Sequence, residues 1–163
     1  MQQQAALLAD FCKSSAVCFI VNDDLDLALA VDADGVHLGG GDGDWADARR
    51  RLGPGRILGV SCYNAQARVR AGVLAGADYV ALGAMFPSET KPGAVRASLD
   101  LLRAVKAERA IPVVTIGGIT ADNAPSLIAA GADMVAVVND LFSAPDIAAR
   151  AQAFQQLFKL THE

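Results

Sequence analysis

Six short apolar runs rich in Val and Ile punctuate the chain: Val17 to Val21, Gly35 to Leu38, Ile57 to Val60, Tyr79 to Leu82, Val113 to Ile116 and Met134 to Val138. Each is too short for a full helix, and a near-continuous apolar run of that length is the mark of a strand covered on both faces of a parallel sheet. Between the runs lie Ala- and Leu-rich stretches with helical spacing, Leu25 to Ala33, Ala65 to Ala75, Ala97 to Glu108 and Asn123 to Ala130. Alternation of this kind predicts an α/β fold with parallel strands. The opening segment, Gln2 to Ser15, has helical composition and runs straight into the first strand, so six strands and seven helices are expected.

A weak internal repeat marks the places where helix gives way to strand: Ala33-Asp34-Gly35-Val36, Ala77-Asp78-Tyr79-Val80 and Ala132-Asp133-Met134-Val135. In two copies a glycine, Gly76 or Gly131, precedes the Ala, where a left-handed helix C-cap belongs. Because the repeat falls at strand starts, and barrel chemistry gathers at the other end of the strands, it is structural punctuation.

Six strands suit either an open doubly wound sheet or an incomplete eight-stranded barrel. The polar residues choose between them. Asn22-Asp23-Asp24, Gly39-Gly40-Gly41-Asp42, Ser61, Pro87-Ser88-Glu89-Thr90-Lys91, Gly117-Gly118 and Asn139-Asp140 follow the six strands in turn. A barrel collects its site from many strand ends, whereas an open sheet uses one crevice, so the expected fold is a TIM (β/α)₈-type barrel lacking the first two strands. Phosphate-binding loops of barrels commonly follow strands seven and eight, which makes the strand before Gly117 the seventh and puts the deficit at the N-terminus.

Composition narrows the function. With 163 residues, 53% hydrophobic and 20% charged, the chain fills one domain, expected to span residues 1–163. Its formal charge is −4 and its longest basic run is Arg49-Arg50-Arg51, so nucleic acid is not an expected partner. The first ten residues carry neither the basic nor the apolar region of a signal peptide, and no apolar run nears the roughly 20 residues a membrane span needs. A cytoplasmic protein with no membrane partner is expected. Three cysteines without paired spacing are taken as free thiols, and two histidines are too few for a histidine-rich metal site.

Several clusters have residue types suited to handling phosphate. Gly117-Gly118, followed by the helix-like Thr120-Ala121-Asp122, can bring backbone N–H groups close to an anion, or simply make a tight turn. Asp23, Asp24 and Asp42 stand at adjacent strand ends where two carboxylates could share Mg²⁺; equally, Asp23 or Asp24 could cap a helix and Asp42 and Asp44 lie in a solvated loop. Ser88, Thr90 and Lys91 combine hydroxyls with a point charge on one loop. His37 sits inside a strand, where packing is the better reading, and Trp45 is most simply a helix-packing residue. A Ser61-His37 nucleophile is not expected, because no histidine is near Ser61 in sequence.

Taken in order, Phe19-Ile20-Val21-Asn22-Asp23-Asp24, Gly35-Val36-His37-Leu38-Gly39, Leu58-Gly59-Val60-Ser61, Phe86-Pro87-Ser88-Glu89-Thr90-Lys91 and Ile116-Gly117-Gly118-Ile119 resemble the motif series of thiamine phosphate synthases, from about Phe19 to Phe142. The resemblance implies a transferase of thiamine biosynthesis that joins hydroxymethylpyrimidine diphosphate to thiazole phosphate, releasing diphosphate. It further implies Mg²⁺ on Asp23 and Asp42. Asn22, Ser61 and Lys91 would contact the diphosphate, with Lys91 and Ser61 assisting departure, and Ser88, Glu89, Thr90, Gly118, Val138 and Asn139 would line the thiazole-phosphate pocket. The family's N-terminal Gln-x-Arg-x-Lys motif has no counterpart here, Gly40-Gly41 replaces a usual Gln-Glu, Ser88 a Thr, and Asn139 a Ser. The related thiazole tautomerases place a catalytic His where Tyr63 and Asn64 stand, which argues against that activity. Two other readings accompany this one: a non-catalytic, phosphate-binding paralogue, and a different phosphate-binding barrel such as a phosphosugar isomerase. Unpaired strand edges would favour association between copies.

Overall fold

The computed structural model describes residues 1–87, 93–108 and 110–159. Its elements alternate up to the last strand: α1 Gln2–Ser14, β1 Ile20–Asn22, α2 Leu25–Ala30, β2 Gly35–Leu38, α3 Trp45–Leu52, β3 Ile57–Tyr63, α4 Gln66–Leu74 and β4 Tyr79–Leu82. There follow α5 Leu99–Glu108, β5 Val113–Ile116, α6 Ala124–Ala129, β6 Met134–Ala136, α7 Asn139–Phe142 and α8 Ile147–Lys159. The strand order is the chain order, β1-β2-β3-β4-β5-β6, and the pairs β1–β2, β2–β3 and β5–β6 are parallel. Sequential order without a reversal is the barrel's topology and lacks the switch point of a doubly wound sheet.

The boundaries differ from the sequence expectation in instructive places. The first strand begins at Ile20, not Val17, because the Val17 N–H is spent closing the end of α1 on Cys12 O at 2.9 Å and Ala16 turns left-handed at φ 53°. The third runs on past Val60 to Tyr63, and the sixth stops at Ala136. The helices number eight among the described residues, not seven, since the four-residue α7 is too short to leave a periodic signal.

Two compact units make up the chain, the first Met1–Ser61 with Ala67–Val80, the second Cys62–Gln66 with Ala81–Glu163. In the first, the register Val36↔Leu58 and Leu38↔Val60 places these four side chains on one face of neighbouring strands, each 1% exposed or less. Burying each is worth about 1.5–3 kcal/mol. Side chains alternate across a strand, so Gly35, His37, Gly59 and Ser61 occupy the opposite face. In the second unit Val113 and Thr115 of β5 are fully buried with Leu102 and Leu127, and the Thr115 hydroxyl donates to Met134 O at 3.4 Å.

The three-fold Ala-Asp repeat has one job in all its copies. The Asp34 N–H donates to Phe19 O at 3.0 Å while its carboxylate accepts from Phe19 N at 2.7 Å. Asp78 does the same to Leu58, at 2.8 and 2.7 Å, and Asp133 to Val113, at 3.0 and 2.7 Å. Each aspartate thus closes a two-bond ring with a residue at or beside the start of the preceding strand. Gly76 and Gly131 take φ of 81° and 103° two residues earlier, and in the first copy Asp32 accepts the same left-handed turn at 52°. Asp78 and Asp133 also meet Arg49 and Lys106, but these pairs are partly solvated and add little.

Leu58 is 0% exposed, so removing the carboxylate strands a buried N–H. Asp78→Ala is therefore expected to cost about 1–3 kcal/mol in urea denaturation, with Asp78→Asn, which retains an acceptor, losing less. Equal losses in the two variants would show that charge, not hydrogen-bond acceptance, is what matters.

Candidate functional site

Two groups of residues gather at the strand ends of the first unit. At the end of β1, Asn22 Nδ2 donates to Asp23 Oδ2 at 2.6 Å, and Asp23 turns left-handed at φ 67°, a conformation Asp tolerates. The Asp23 N–H donates to His37 O at 2.8 Å, which ties the turn to β2. After β2, the Asp42 carboxylate accepts from Gly39 N at 2.7 Å and is drawn back over its own loop. Asp23 and Asp42 line one cavity of about 220 Å³ together with Asp24, Asp26, Asp44, Asp47 and Arg51.

The aspartates of this cavity divide their work. Asp24 caps α2 through Leu27 N at 2.8 Å, and Asp44 caps α3 through Asp47 N at 2.7 Å. Asp26 pairs with Arg51 and Asp47 with Arg50. Asp24 and Asp44 thus cap helices and Asp26 and Asp47 pair with arginines, on the same cavity as Asp23 and Asp42. Both of these are held by an N–H donor on one oxygen and face a shared space. Among the described residues no three of His, Cys, Asp and Glu converge as a cluster able to hold a metal. A pair of carboxylates, completed by water and substrate phosphate oxygens, is the donor set Mg²⁺ accepts, so the residues present fit that ion.

The loop carrying Asp42 is braced from the α3 and α4 side. Trp45 Nε1 donates to Gly39 O at 3.2 Å, the Arg68 guanidinium lies 4.8 Å from the Trp45 ring centroid, and Arg68 Nε donates to Ser61 O at 3.2 Å. A Cβ on Gly40 would come within 2.7 Å of Arg68 Nη2. Trp45 is thus more than a packing residue.

The second group lies on the face that β2 and β3 share. Ser61 Oγ is 2.9 Å from His37 Nε2, and His37 Nδ1 is 3.0 Å from the Tyr79 hydroxyl, with the two rings stacked 5.5 Å apart at 21°. No histidine is near Ser61 along the chain, but the fold brings His37 beside it from 24 residues away. The signal was in the register: His37 pairs with Gly59, and Ser61 is the next residue of β3 on that face. Tyr79 was missed altogether. Its ring fits because β3 has glycine there, where a Cβ on Gly59 would sit 2.0 Å from Tyr79 Cζ. Burial pushes the His37 imidazole below its ordinary pKa of 6.5, against the opposing pull of Asp42, and pushes the Tyr79 phenol up to about 12.

In the second unit, Gly118 is left-handed at φ 64°, and a Cβ there would strike Pro87 O at 2.2 Å. The following segment does not open a helix, as Thr120-Ala121-Asp122 suggested; α6 starts at Ala124. Thr120 N and Asn123 Oδ1 close a turn at 2.9 Å, Asn123 Nδ2 donates to Gly118 O at 3.0 Å, and Ala121 N donates to Asp140 Oδ2 at 3.1 Å. Asp140 thereby links this loop to α7, where Asn139 is the first residue and Val138, 61% exposed, the residue before it. Ser88, Glu89, Thr90 and Lys91 lie outside the described residues.

Comparison with known proteins gives a consistent family. The family model described as thiamine monophosphate synthase matches residues 1–141. The thiamine-phosphate synthase of Aromatoleum aromaticum is 61% identical over 95% of this chain and 74% of its own length, and that of Methylobacillus flagellatus 55% identical over 95% and 74%. The chain thus spans about three-quarters of the length of these relatives. Among solved structures, thiamine phosphate pyrophosphorylase from Pyrococcus furiosus superposes with a TM-score of 0.87 at 32% identity, covering 98% of this chain and 76% of that one. A 3-hexulose-6-phosphate synthase from Salmonella typhimurium, at TM-score 0.74 and 22% identity, shares the fold. No helix among the described residues is long and apolar enough to cross a membrane.

The depressed His37 pKa has a thermodynamic consequence. Keeping the imidazole neutral contributes stability above the unfolded-state value of 6.5, and that contribution is lost as pH falls below it, because the unfolded chain then binds the proton more readily. Unfolding free energies measured from about pH 8 to about pH 5 should fall more steeply for the native protein than for His37→Gln. Parallel profiles would mean that the imidazole titrates alike in both states.

Proposed function

The chain belongs to the thiamine monophosphate synthase family, and we infer from this that it is a transferase joining hydroxymethylpyrimidine diphosphate to thiazole phosphate, giving thiamine phosphate and diphosphate. The thiazole nitrogen is already nucleophilic, so the reaction calls for departure of diphosphate and alignment of two rings, with no general base. The observation that carries the residue-level reading is the pair Asp23 and Asp42, one after β1 and one after β2, lining one cavity.

In this reading Asp23 and Asp42 hold Mg²⁺, which when bound neutralises charge on the departing diphosphate. Asn22 orients Asp23 through the 2.6 Å hydrogen bond that its side-chain amide donates, and stands beside the leaving group. Ser61 donates its hydroxyl to a diphosphate oxygen. Gly118, whose left-handed turn admits no side chain, presents backbone to the thiazole phosphate, with Val138 and Asn139 on the neighbouring turn. Ser88, Glu89, Thr90 and Lys91 enter on the sequence motif alone, Lys91 as a cation for the diphosphate. Phosphorylated substrates of this kind fit a cytoplasmic enzyme.

A Ser61–His37 hydrolase is the competing use of the same side chains. It is disfavoured because Nδ1 of His37 meets a phenol, whereas a triad requires a carboxylate that stabilises imidazolium.

Incubating the purified chain with Mg²⁺ and both substrates should release thiamine phosphate and diphosphate in equal amounts; no product at micromolar enzyme over hours sinks the synthase reading for this chain. Asp23→Ala should remove the Mg²⁺-dependent rate, and Ser61→Ala should lower kcat by about 100-fold or more, the usual effect of deleting one donor to a developing anion. Undiminished turnover in Asp23→Ala would reject the metal assignment.

A further inference from the structure

Tyr79 belongs to no motif that points to diphosphate, yet its hydroxyl ends a short hydrogen-bonded chain that leads to Ser61. We propose that Tyr79 is a positioning residue: its hydroxyl donates to His37 Nδ1, fixes the imidazole as the Nε2–H tautomer, and so turns the Ser61 proton outward as a donor to an anion. The inference rests on the reading that Ser61 faces the leaving diphosphate.

The geometry is specified on all sides. His37 Nδ1 lies 3.0 Å from the phenol oxygen and Nε2 lies 2.9 Å from Ser61 Oγ, so both ring nitrogens are engaged. Stacking at 21° holds the imidazole against the Tyr79 ring, and the phenol fills the space that a Cβ at position 59 would take. A neutral imidazole has one donor and one acceptor, so fixing one nitrogen fixes the other.

Two directions of the chain are conceivable, and the ends decide between them. If Ser61 donated to Nε2, then Nδ1–H would donate to the phenol oxygen and the Tyr79 proton would need a third acceptor. Among the described residues the Tyr79 hydroxyl bonds only to His37. Burial holds that phenol protonated, pushed up to about 12, and leaves it a permanent donor. In the other direction every proton is placed: Tyr79 to Nδ1, Nε2–H to Ser61 Oγ, and the Ser61 proton toward the C-terminal end of β3, where barrel ligands bind. The Ser61 carbonyl is separately occupied by Arg68 Nε at 3.2 Å, so the strand is held while the hydroxyl turns.

The chain contains two histidines, His37 and His162, which makes the tautomer directly readable by nitrogen-15 NMR, with His37→Gln giving the assignment. Spectra are taken at about pH 8, well above the ordinary imidazole value, so that the ring is neutral. The native protein should show His37 protonated at Nε2 and bare at Nδ1; Tyr79→Phe, which keeps the ring, should shift these resonances toward a tautomer mixture. An Nδ1–H signature in the native protein, which needs no variant to fold, overturns the inference, as does a signature unchanged in folded Tyr79→Phe. Calorimetry with inorganic diphosphate and Mg²⁺ supplies the second arm. Tyr79→Phe should weaken binding about tenfold, and Tyr79→Phe with Ser61→Ala should be no worse than Ser61→Ala alone. Full additivity of the two substitutions would overturn the coupling. Native protein that shows the Nε2–H tautomer but no diphosphate binding would refute the assignment of Ser61 to the leaving group and leave Tyr79's hold on the ring standing.

Discussion

Parallel strands have no hairpin to set their register, and in this chain aspartate side chains supply what a turn would. Asp34, Asp78 and Asp133 each hold the residue at or just beside the start of the preceding strand by two hydrogen bonds, one from the backbone and one to the carboxylate. A slip of one residue would send every side chain of a strand to the opposite face. With the rings in place, Ile20 lies opposite Gly35 and Val114 opposite Met134. Asp78 likewise anchors the segment leading into β4 to Leu58. The β2–β3 pairing, which sets the buried face of Val36, Leu38, Leu58 and Val60 and the polar face of His37 and Ser61, is held at its start by the backbone of Asp34, whose O accepts from Ile57 N at 2.8 Å.

The Ser61-His37-Tyr79 chain depends on the β2–β3 pairing, because none of its three residues is near another in sequence. His37 and Ser61 are 24 residues apart and His37 and Tyr79 are 42 apart. What brings them together is the pairing of His37 with Gly59, one alternation short of Ser61, and the absence of a side chain at position 59. This explains why the strands, their order and the acidic strand ends were legible in the sequence while the Ser61-His37-Tyr79 chain was not. Periodicity reports which face a residue takes; it is silent on which residue of the next strand stands beside it. The short helix at Asn139 and the turn at Thr120 escaped for a different reason, since segments of four residues carry no period and are decided by side-chain bonds such as those of Asn123 and Asp140.

Capping chemistry, by contrast, is local and was half visible. Asp23 and Asp24 after β1 were open to two readings, cap or ligand, while Asp42 and Asp44 were open to a ligand role or a solvated loop. The structure separates them by position: Asp24 and Asp44, next to the first helical residue, cap, and Asp23 and Asp42, one and two residues earlier, do not. Asp23 is removed from capping by its own left-handed backbone, which directs the chain into α2 only at the following residue. A carboxylate at the strand end and a second one at the helix start thus serve different masters within three residues of chain.

The glycines after β2 raise the question of what replaces the side chains usual in the family, Gln-Glu, where this chain has Gly40-Gly41. A glycine pair before Asp42 would ordinarily loosen it, since glycine gives the backbone more freedom than any other residue. Here Arg68 occupies the space a Gly40 side chain would need, stacks on Trp45, and is anchored to the Ser61 carbonyl, while Trp45 holds Gly39 O and Asp42 holds Gly39 N. Both polar atoms of the Gly39 backbone are therefore tied down within the loop that Asp42 belongs to. The rigidity that side chains at positions 40 and 41 would bring from within the loop is supplied from α3 and α4, and the same guanidinium that steadies the Asp42 loop also braces the strand carrying Ser61. The loop carrying Asp42 and the strand carrying Ser61 thus share one mechanical support in Arg68.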